Sequence, residues 1–225
     1  MLLASAVLVT GWIRTQWPSS PHWRTPFFLA ATALMHALDL WATTRCVPSQ
    51  VSRRPQRLGL VRRVYVMAYA FATAECIVLR HWYWTYDLSN WFPYPIVWPL
   101  SWIMVVGGQL VRVLAILHGG PSYPLGEKRR CCRSRHDSVD ADHQLVTTGI
   151  YGWIRHPAYF GYFWWAIGTQ LILANRMSLL AFVIVLWSFF AGRIHAEEEA
   201  LVRRHGSRYE NYQHRVGVWI PFTGN

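Results

Sequence analysis

Apolar residues run through this chain in six blocks, each of helix rather than strand length and each bordered by polar groups. The first, 1–13, is short for a membrane span and has no basic residue ahead of it, so it reads as a first membrane helix rather than a secretory leader. The next three cover 26–44, 64–79 and 94–111; Pro26 suits the first turn of its helix, and Pro95 and Pro99 fall inside the last of the three. The remaining two, 158–174 and 177–191, are separated only by Asn175 and Arg176, which predicts a tight hairpin. Both lie near the lower limit of about 17–25 residues for a spanning helix. The pattern predicts an all-α integral membrane protein with about six transmembrane helices. Its N-terminal spans occupy 1–118, and 119–225 supplies a loop, the hairpin and a polar tail.

Composition sharpens this picture. Hydrophobic residues make up 53% of the chain, yet the mean hydropathy is only +0.14, so the polar residues must be gathered between the blocks. The net charge of +11 comes almost wholly from arginine, Lys128 being the only lysine. Arg45, Arg53, Arg54, Arg57, Arg62 and Arg63 separate the second and third blocks, whereas no basic residue follows Arg80 before the fourth. The next loop is rich again (Lys128, Arg129, Arg130, Arg133, Arg135, Arg155), the hairpin turn holds Arg176, and the tail carries Arg193, Arg203, Arg204, Arg208 and Arg215. Rich and poor loops alternate, and the positive-inside rule puts the rich ones in the cytosol. Arginines beside apolar blocks fit anionic headgroups; no nucleic-acid module accompanies them. The cysteines, Cys46, Cys76, Cys131 and Cys132, form neither a CxxC pair nor a disulfide framework. The adjacent pair in its basic loop is open to acylation, although reduced thiols are the simpler reading.

Candidate chemistry gathers at one end of the hairpin. In Arg155-His156-Pro157-Ala158-Tyr159-Phe160-Gly161, proline disfavours helix at the residue before it and favours a helix start. His156 therefore sits at the loop-to-helix boundary beside free backbone N–H groups, a place that attracts a carboxylate or phosphate. Tyr159 lies one turn on, and Gly161 allows close approach. The same residues would also serve as a juxtamembrane anchor. Past the last apolar block, Arg193 and Glu197 are four residues apart on one helix face. They make either a surface ion pair or a guanidinium placed to meet an anion at the lipid boundary, with Glu197 and Glu198 available to hydroxyls or an amine. Tyr209 and Tyr212 follow. Asp39, Glu75 and Arg112 sit in or at the edges of spans, where pairing inside the bundle is the simplest outcome. No residues stand at metal-ligand spacing, since His205 and His214 are dispersed and HExxH is absent; GxGxxG and GxSxG are absent too.

Together these residues resemble the isoprenylcysteine carboxyl methyltransferase family. The likeness covers roughly the last eighty residues and is carried by LVTTGIY, RHPAYFG, WWAIGTQ, RIHAEEEAL, RYENY and VGVWIPF. RHPxYxG followed by EE recurs more widely among membrane methyltransferases; GYFWWAIGTQLILAN with VGVWIP narrows it to the prenylcysteine enzymes. The resemblance implies methyl transfer from S-adenosylmethionine to the C-terminal carboxylate of a farnesylated or geranylgeranylated cysteine. It implies CaaX-processed proteins such as small GTPases as partners, a lipid environment, no metal and no nucleic acid. It also implies a cytosol-facing site in the endoplasmic reticulum membrane. By position, His143, Leu145, Val146, Tyr151, His156, Pro157, Ala158, Tyr159 and Glu197 match the family's cofactor-binding residues, and Arg193 its substrate-binding, catalytic arginine. One further cofactor contact of the family has no clear counterpart within 130–142, where the chain reads CCRSRHDSVDAD from Cys131 on. The rival readings are a phospholipid or other small-lipid methyltransferase, a membrane sterol reductase using NADPH, and a non-catalytic membrane scaffold.

Overall fold

The computed structural model describes residues 23–46, 59–82, 94–120 and 145–221. The expected first span at 1–13, the basic loop with Cys131 and Cys132, and His143 lie outside the described residues. Five long helices and one short one carry the fold: α1 (Arg24–Cys46), α2 (Gly59–Trp82), α3 (Tyr94–Gly119), α4 (Pro157–Leu173), α5 (Arg176–His205) and α6 (Ser207–Gln213). Among the described residues, three segments are long and apolar enough to cross a membrane: Arg24–Cys46, Ile96–Gly119 and Arg176–His205; α2 contributes a shorter apolar stretch, Val66–Val78. Their outward faces carry Leu29, Leu34, Met67, Ile103, Leu110, Leu180 and Ile184, all exposed. Apolar area on this scale is untenable in water and ordinary against lipid.

The centre of the bundle is α4. It is 17 residues long and buried on nearly every side, as a helix apolar all round should be. It crosses α3 in antiparallel fashion at very short range. A Cβ on Gly108 would stand 2.5 Å from the Gly161 carbonyl oxygen and 2.8 Å from the Trp165 nitrogen. Two turns away on both helices, a Cβ on Gly168 would meet the Ser101 carbonyl oxygen at 2.9 Å. Small residues every two turns thus let the two backbones touch, which is how apolar helices gain packing energy where lipid offers no hydrophobic drive. α1 runs parallel to α3, through edge-to-face pairs Trp23–Trp98 (5.7 Å) and Phe27–Trp102 (5.0 Å) up to an ion pair between Asp39 and Arg112 (2.7 Å). α2 closes the other flank, its Tyr69 hydroxyl 2.9 Å from that of Tyr162.

The hairpin turn is tied down from α2. Ala174 ends α4 in the left-handed region (φ 58°), Asn175 precedes α5, and the Asn175 amide donates to the Ala72 carbonyl at 2.9 Å. Glu75 accepts the backbone N–H groups of Met177 (2.9 Å) and Ser178 (2.6 Å), and the Ser178 hydroxyl as well. A buried carboxylate thereby satisfies orphan donors at the positive end of α5. Glu75→Ala should destabilise the fold by about 2–3 kcal/mol, with Glu75→Gln recovering part of the loss because the amide oxygen still accepts. Denaturation of both variants in detergent checks the order.

α5 is 30 residues long. At about 1.5 Å per residue it spans about 45 Å against a hydrocarbon core of about 30 Å. Its last turns, from Arg193 on, therefore stand clear of the apolar layer beside the start of α4. The chain then turns at Gly206 (φ 53°) into α6, and the tail straps back: Gly217 accepts the Arg155 N–H at 3.0 Å, and Pro221 accepts the Trp187 indole at 2.7 Å.

Candidate active site

The loop ahead of α4 folds through a 3-10 turn at Gly149–Gly152. Gly149 has φ 61° and lies over the His118 ring, so close that a Cβ there would sit 3.0 Å from the ring. Tyr151 is fixed from two sides: its hydroxyl donates to the Ala115 carbonyl on α3 at 3.0 Å, and its own carbonyl accepts the Tyr212 hydroxyl at 2.6 Å. His156 occupies the position before α4, with Pro157 opening the helix as the dipeptide predicts and no side chain capping it.

Between this loop, the first turn of α4, the last turns of α5 and the tail helix lies a hollow that opens to the outside. Leu145, Val146 and Tyr151 line it from the loop. His156, Pro157, Ala158 and Tyr159 line it from the start of α4, and Glu197 from α5. The eight described residues expected to hold a cofactor thus share one cavity. Five others line it without having been counted in that set: Gly119, Arg155, Leu201, Tyr209 and Tyr212. Arg155, Tyr209 and Tyr212 are among the polar residues that flank the hairpin in the sequence. Gly119 and Leu201 carry no signal in the sequence beyond their neighbours.

Arg193 stands beside the hollow and meets it at Tyr159. The Tyr159 hydroxyl donates to Glu197 Oε2 at 2.9 Å and accepts from Arg193 Nε at 3.4 Å. The Tyr159 hydroxyl thus links Arg193 and Glu197, which helical spacing already puts on one face. Tyr159 is itself held between rings, stacked on His156 (5.8 Å) and Phe190 (5.2 Å).

The acidic triplet divides into three roles. Glu199 is exposed and makes only surface pairs, with His195 (3.0 Å) and Arg203 (3.2 Å). Glu198 lies behind His156: its Oε1 is 3.2 Å from His156 Nε2 and 3.4 Å from Arg155 Nε, the latter an ion pair without hydrogen-bond geometry. Its Oε2 accepts the Gln213 amide at 3.1 Å. Glu197 alone of the three faces the hollow. Burial pushes the Glu198 carboxyl upward, but the His156 hydrogen bond, the Arg155 charge and the Gln213 amide outweigh it and hold it below 4.5. Burial, partly opposed by the Arg155 charge, pushes the Tyr212 phenol up to about 12, so it remains a donor to the Tyr151 carbonyl.

A depressed carboxyl stabilises the folded state above its unfolded value and loses that contribution as pH falls through its folded value. Wild-type stability should therefore drop as pH is lowered past about 4.5. Glu198→Gln should be less stable than wild type near neutrality, with the two curves converging in acid. Melting temperature followed from about pH 7 to about pH 3 reads both.

The model of the isoprenylcysteine carboxyl methyltransferase (ICMT) family matches residues 101–203, a stretch that contains Arg193 and the nine residues matched above to cofactor binding. The protein-S-isoprenylcysteine O-methyltransferase of Saccharomyces cerevisiae is 36% identical over 200 residues, covering 87% of this chain and 78% of the relative. The chain belongs to the isoprenylcysteine carboxyl methyltransferase family.

The Tribolium castaneum protein-S-isoprenylcysteine O-methyltransferase is 36% identical over 201 residues, and there the match spans 64% of the longer relative. Among solved structures, that of the eukaryotic intramembrane Ras methyltransferase ICMT superposes with a TM-score of 0.71 at 30% identity, over 94% of this chain and 70% of that one. The likeness thus extends through the N-terminal helices, where the sequence motifs were silent.

The donor set in the hollow suits the family's methyl donor. Glu197 offers a carboxylate to hydroxyls or an ammonium, the Ala158 N–H at the uncapped start of α4 can donate to a carboxylate, and Leu145, Val146 and Leu201 offer an apolar wall to a purine.

Proposed function

We propose that the chain esterifies the C-terminal carboxylate of a prenylated cysteine with the methyl group of S-adenosylmethionine, at the hollow between the α4 start and the α5 end. The observation that carries the placement is the shared Tyr159 hydroxyl, which ties the carboxylate facing the hollow to the arginine at the lipid boundary within two hydrogen bonds. Bound there, S-adenosylmethionine supplies a methyl group already activated by a sulfonium. The acceptor carboxylate is already a nucleophile, so the protein's work is alignment of the reacting atoms and exclusion of water.

Leu145, Val146, Tyr151, His156, Pro157, Ala158, Tyr159 and Glu197 hold the cofactor in this reading, His143 completes the set from the preceding loop, and 119–225 is the catalytic region. Arg193 orients the carboxylate by charge-assisted hydrogen bonding while the prenyl chain stays in lipid. In this reading the chain has about six spans and the hollow faces the cytosol, an orientation supported by the alternation of arginine-rich and arginine-poor loops. The endoplasmic reticulum membrane and CaaX-processed small GTPases follow as the setting and the acceptors.

Membranes carrying the protein, given labelled S-adenosylmethionine, should transfer label to N-acetyl-S-farnesylcysteine as an alkali-labile ester and leave phosphatidylethanolamine unlabelled. Label in the lipid headgroup instead would favour a phospholipid methyltransferase, and NADPH binding without methyl transfer a reductase.

A further inference from the structure

Asp39 and Arg112 lie far from the residues assigned above in sequence, yet they reach the wall of the hollow. Asp39 is buried on α1. Arg112 Nε donates to both of its carboxylate oxygens, at 3.1 and 2.8 Å, and Nη2 lies 2.7 Å from Oδ2. The remaining arm, Nη1, donates to the Ala158 carbonyl at 3.2 Å, and the guanidinium lies over the Tyr162 ring at 5.2 Å. Ala158 is part of the wall. A guanidinium charge therefore sits one hydrogen bond behind the place where a cationic ligand is to bind.

Left alone, that charge would oppose a sulfonium. A buried pair adds little stability over well-packed apolar residues, so stability is a weak reason for having it here. Cancelling a charge that is needed to fix Ala158 is a better one. We infer that Asp39 is a positioning residue that acts through Arg112, neutralising the guanidinium that anchors Ala158 so that the wall accepts a positively charged methyl donor. This rests on the proposed reading of the hollow. The other formal charges near it, Glu197, Glu198, Arg155 and Arg193, are unaffected by the change tested below.

S-adenosylmethionine and S-adenosylhomocysteine differ by one methyl group and one positive charge, so the ratio of their affinities reports the potential at the wall. Equilibrium binding of each to the full chain in detergent should show that Asp39→Asn lowers the preference for the sulfonium on the order of tenfold, the size expected for one unit charge about 10 Å away at an effective dielectric of about 20. The double variant Asp39→Asn with Arg112→Gln should restore the wild-type ratio even if both affinities have fallen. A merely structural pair would weaken both ligands alike and leave the ratio unmoved, which overturns the inference. Should Asp39→Asn not survive purification, Arg112→Gln must still give a ratio at or above the wild-type value; a lower one overturns it too. If the wild-type chain binds neither ligand while the fold is intact, it is the reading of the hollow that fails, and this inference with it.

Discussion

Arg193→Ala is expected to lower methyl transfer to a prenylcysteine acceptor by about 10²–10³-fold while leaving the affinity for S-adenosylmethionine within about threefold. The asymmetry follows from where Arg193 stands. It is not among the residues lining the hollow, and its Nε donates to the Tyr159 hydroxyl at 3.4 Å. In the proposed reading, losing it deprives the acceptor carboxylate of its cation at the edge of the apolar layer. Tyr159 still donates to Glu197 at 2.9 Å, so the cofactor side is retained. Arg193→Lys should recover little, because a point charge lacks the planar fork that aligns a carboxylate. Steady-state kinetics with N-acetyl-S-farnesylcysteine, alongside a cofactor binding isotherm, separates the two effects. Equal loss of both would move Arg193 from the acceptor to the cofactor.

The second large effect comes from a residue that touches no ligand. Gly161→Ala would put a Cβ 2.5 Å from the Gly108 carbonyl oxygen and 2.9 Å from the Arg112 nitrogen. Both are helix backbone, which cannot swing aside, so α3 and α4 must separate. Overpacking of this kind costs about 1–3 kcal/mol, and here the strain is directed at the site. Arg112 bonds Ala158 across this seam, and Ala158 and Tyr159 precede Gly161 by less than one turn. Cofactor affinity should fall at least about tenfold together with thermal stability. Gly192→Ala on α5, where a Cβ meets nothing within 4 Å, is the matched control and should behave as wild type. Melting temperature and cofactor Kd measured on both variants test the pair.

Much of this molecule is written in local pattern. Block 26–44 became Arg24–Cys46, and 158–174 became Pro157–Leu173. The blocks ended early where charge began, since a hydropathy run stops at the first arginine but a helix does not: α3 continues through Arg112 to Gly119, and α5 through its glutamates to His205. The Arg-His-Pro start of α4 was legible because proline acts on its immediate neighbours. What sequence spacing could not reveal is contact between elements. Asp39 and Arg112 are 73 positions apart, and Glu75 and Ser178 are 103 apart, so each could be read only as a charge that needs some partner. Nor could three consecutive glutamates be told apart until the helix turned one to the hollow, one toward His156 and one to the surface. Tyr159 was visible as a ligand residue but not as the hub joining Glu197 to Arg193.

Methyl transfer at this site requires the α4 start and the α5 end to form one chamber for the methyl donor. Ultraviolet crosslinking of radiolabelled S-adenosylmethionine to the full chain in membranes, followed by peptide mapping, tests this most directly. Label should appear on peptides containing Tyr151 to Tyr159 or Glu197, be displaced by S-adenosylhomocysteine, and be lost in Glu197→Ala. Displaceable label confined to the helices between Arg24 and Val111 would contradict it.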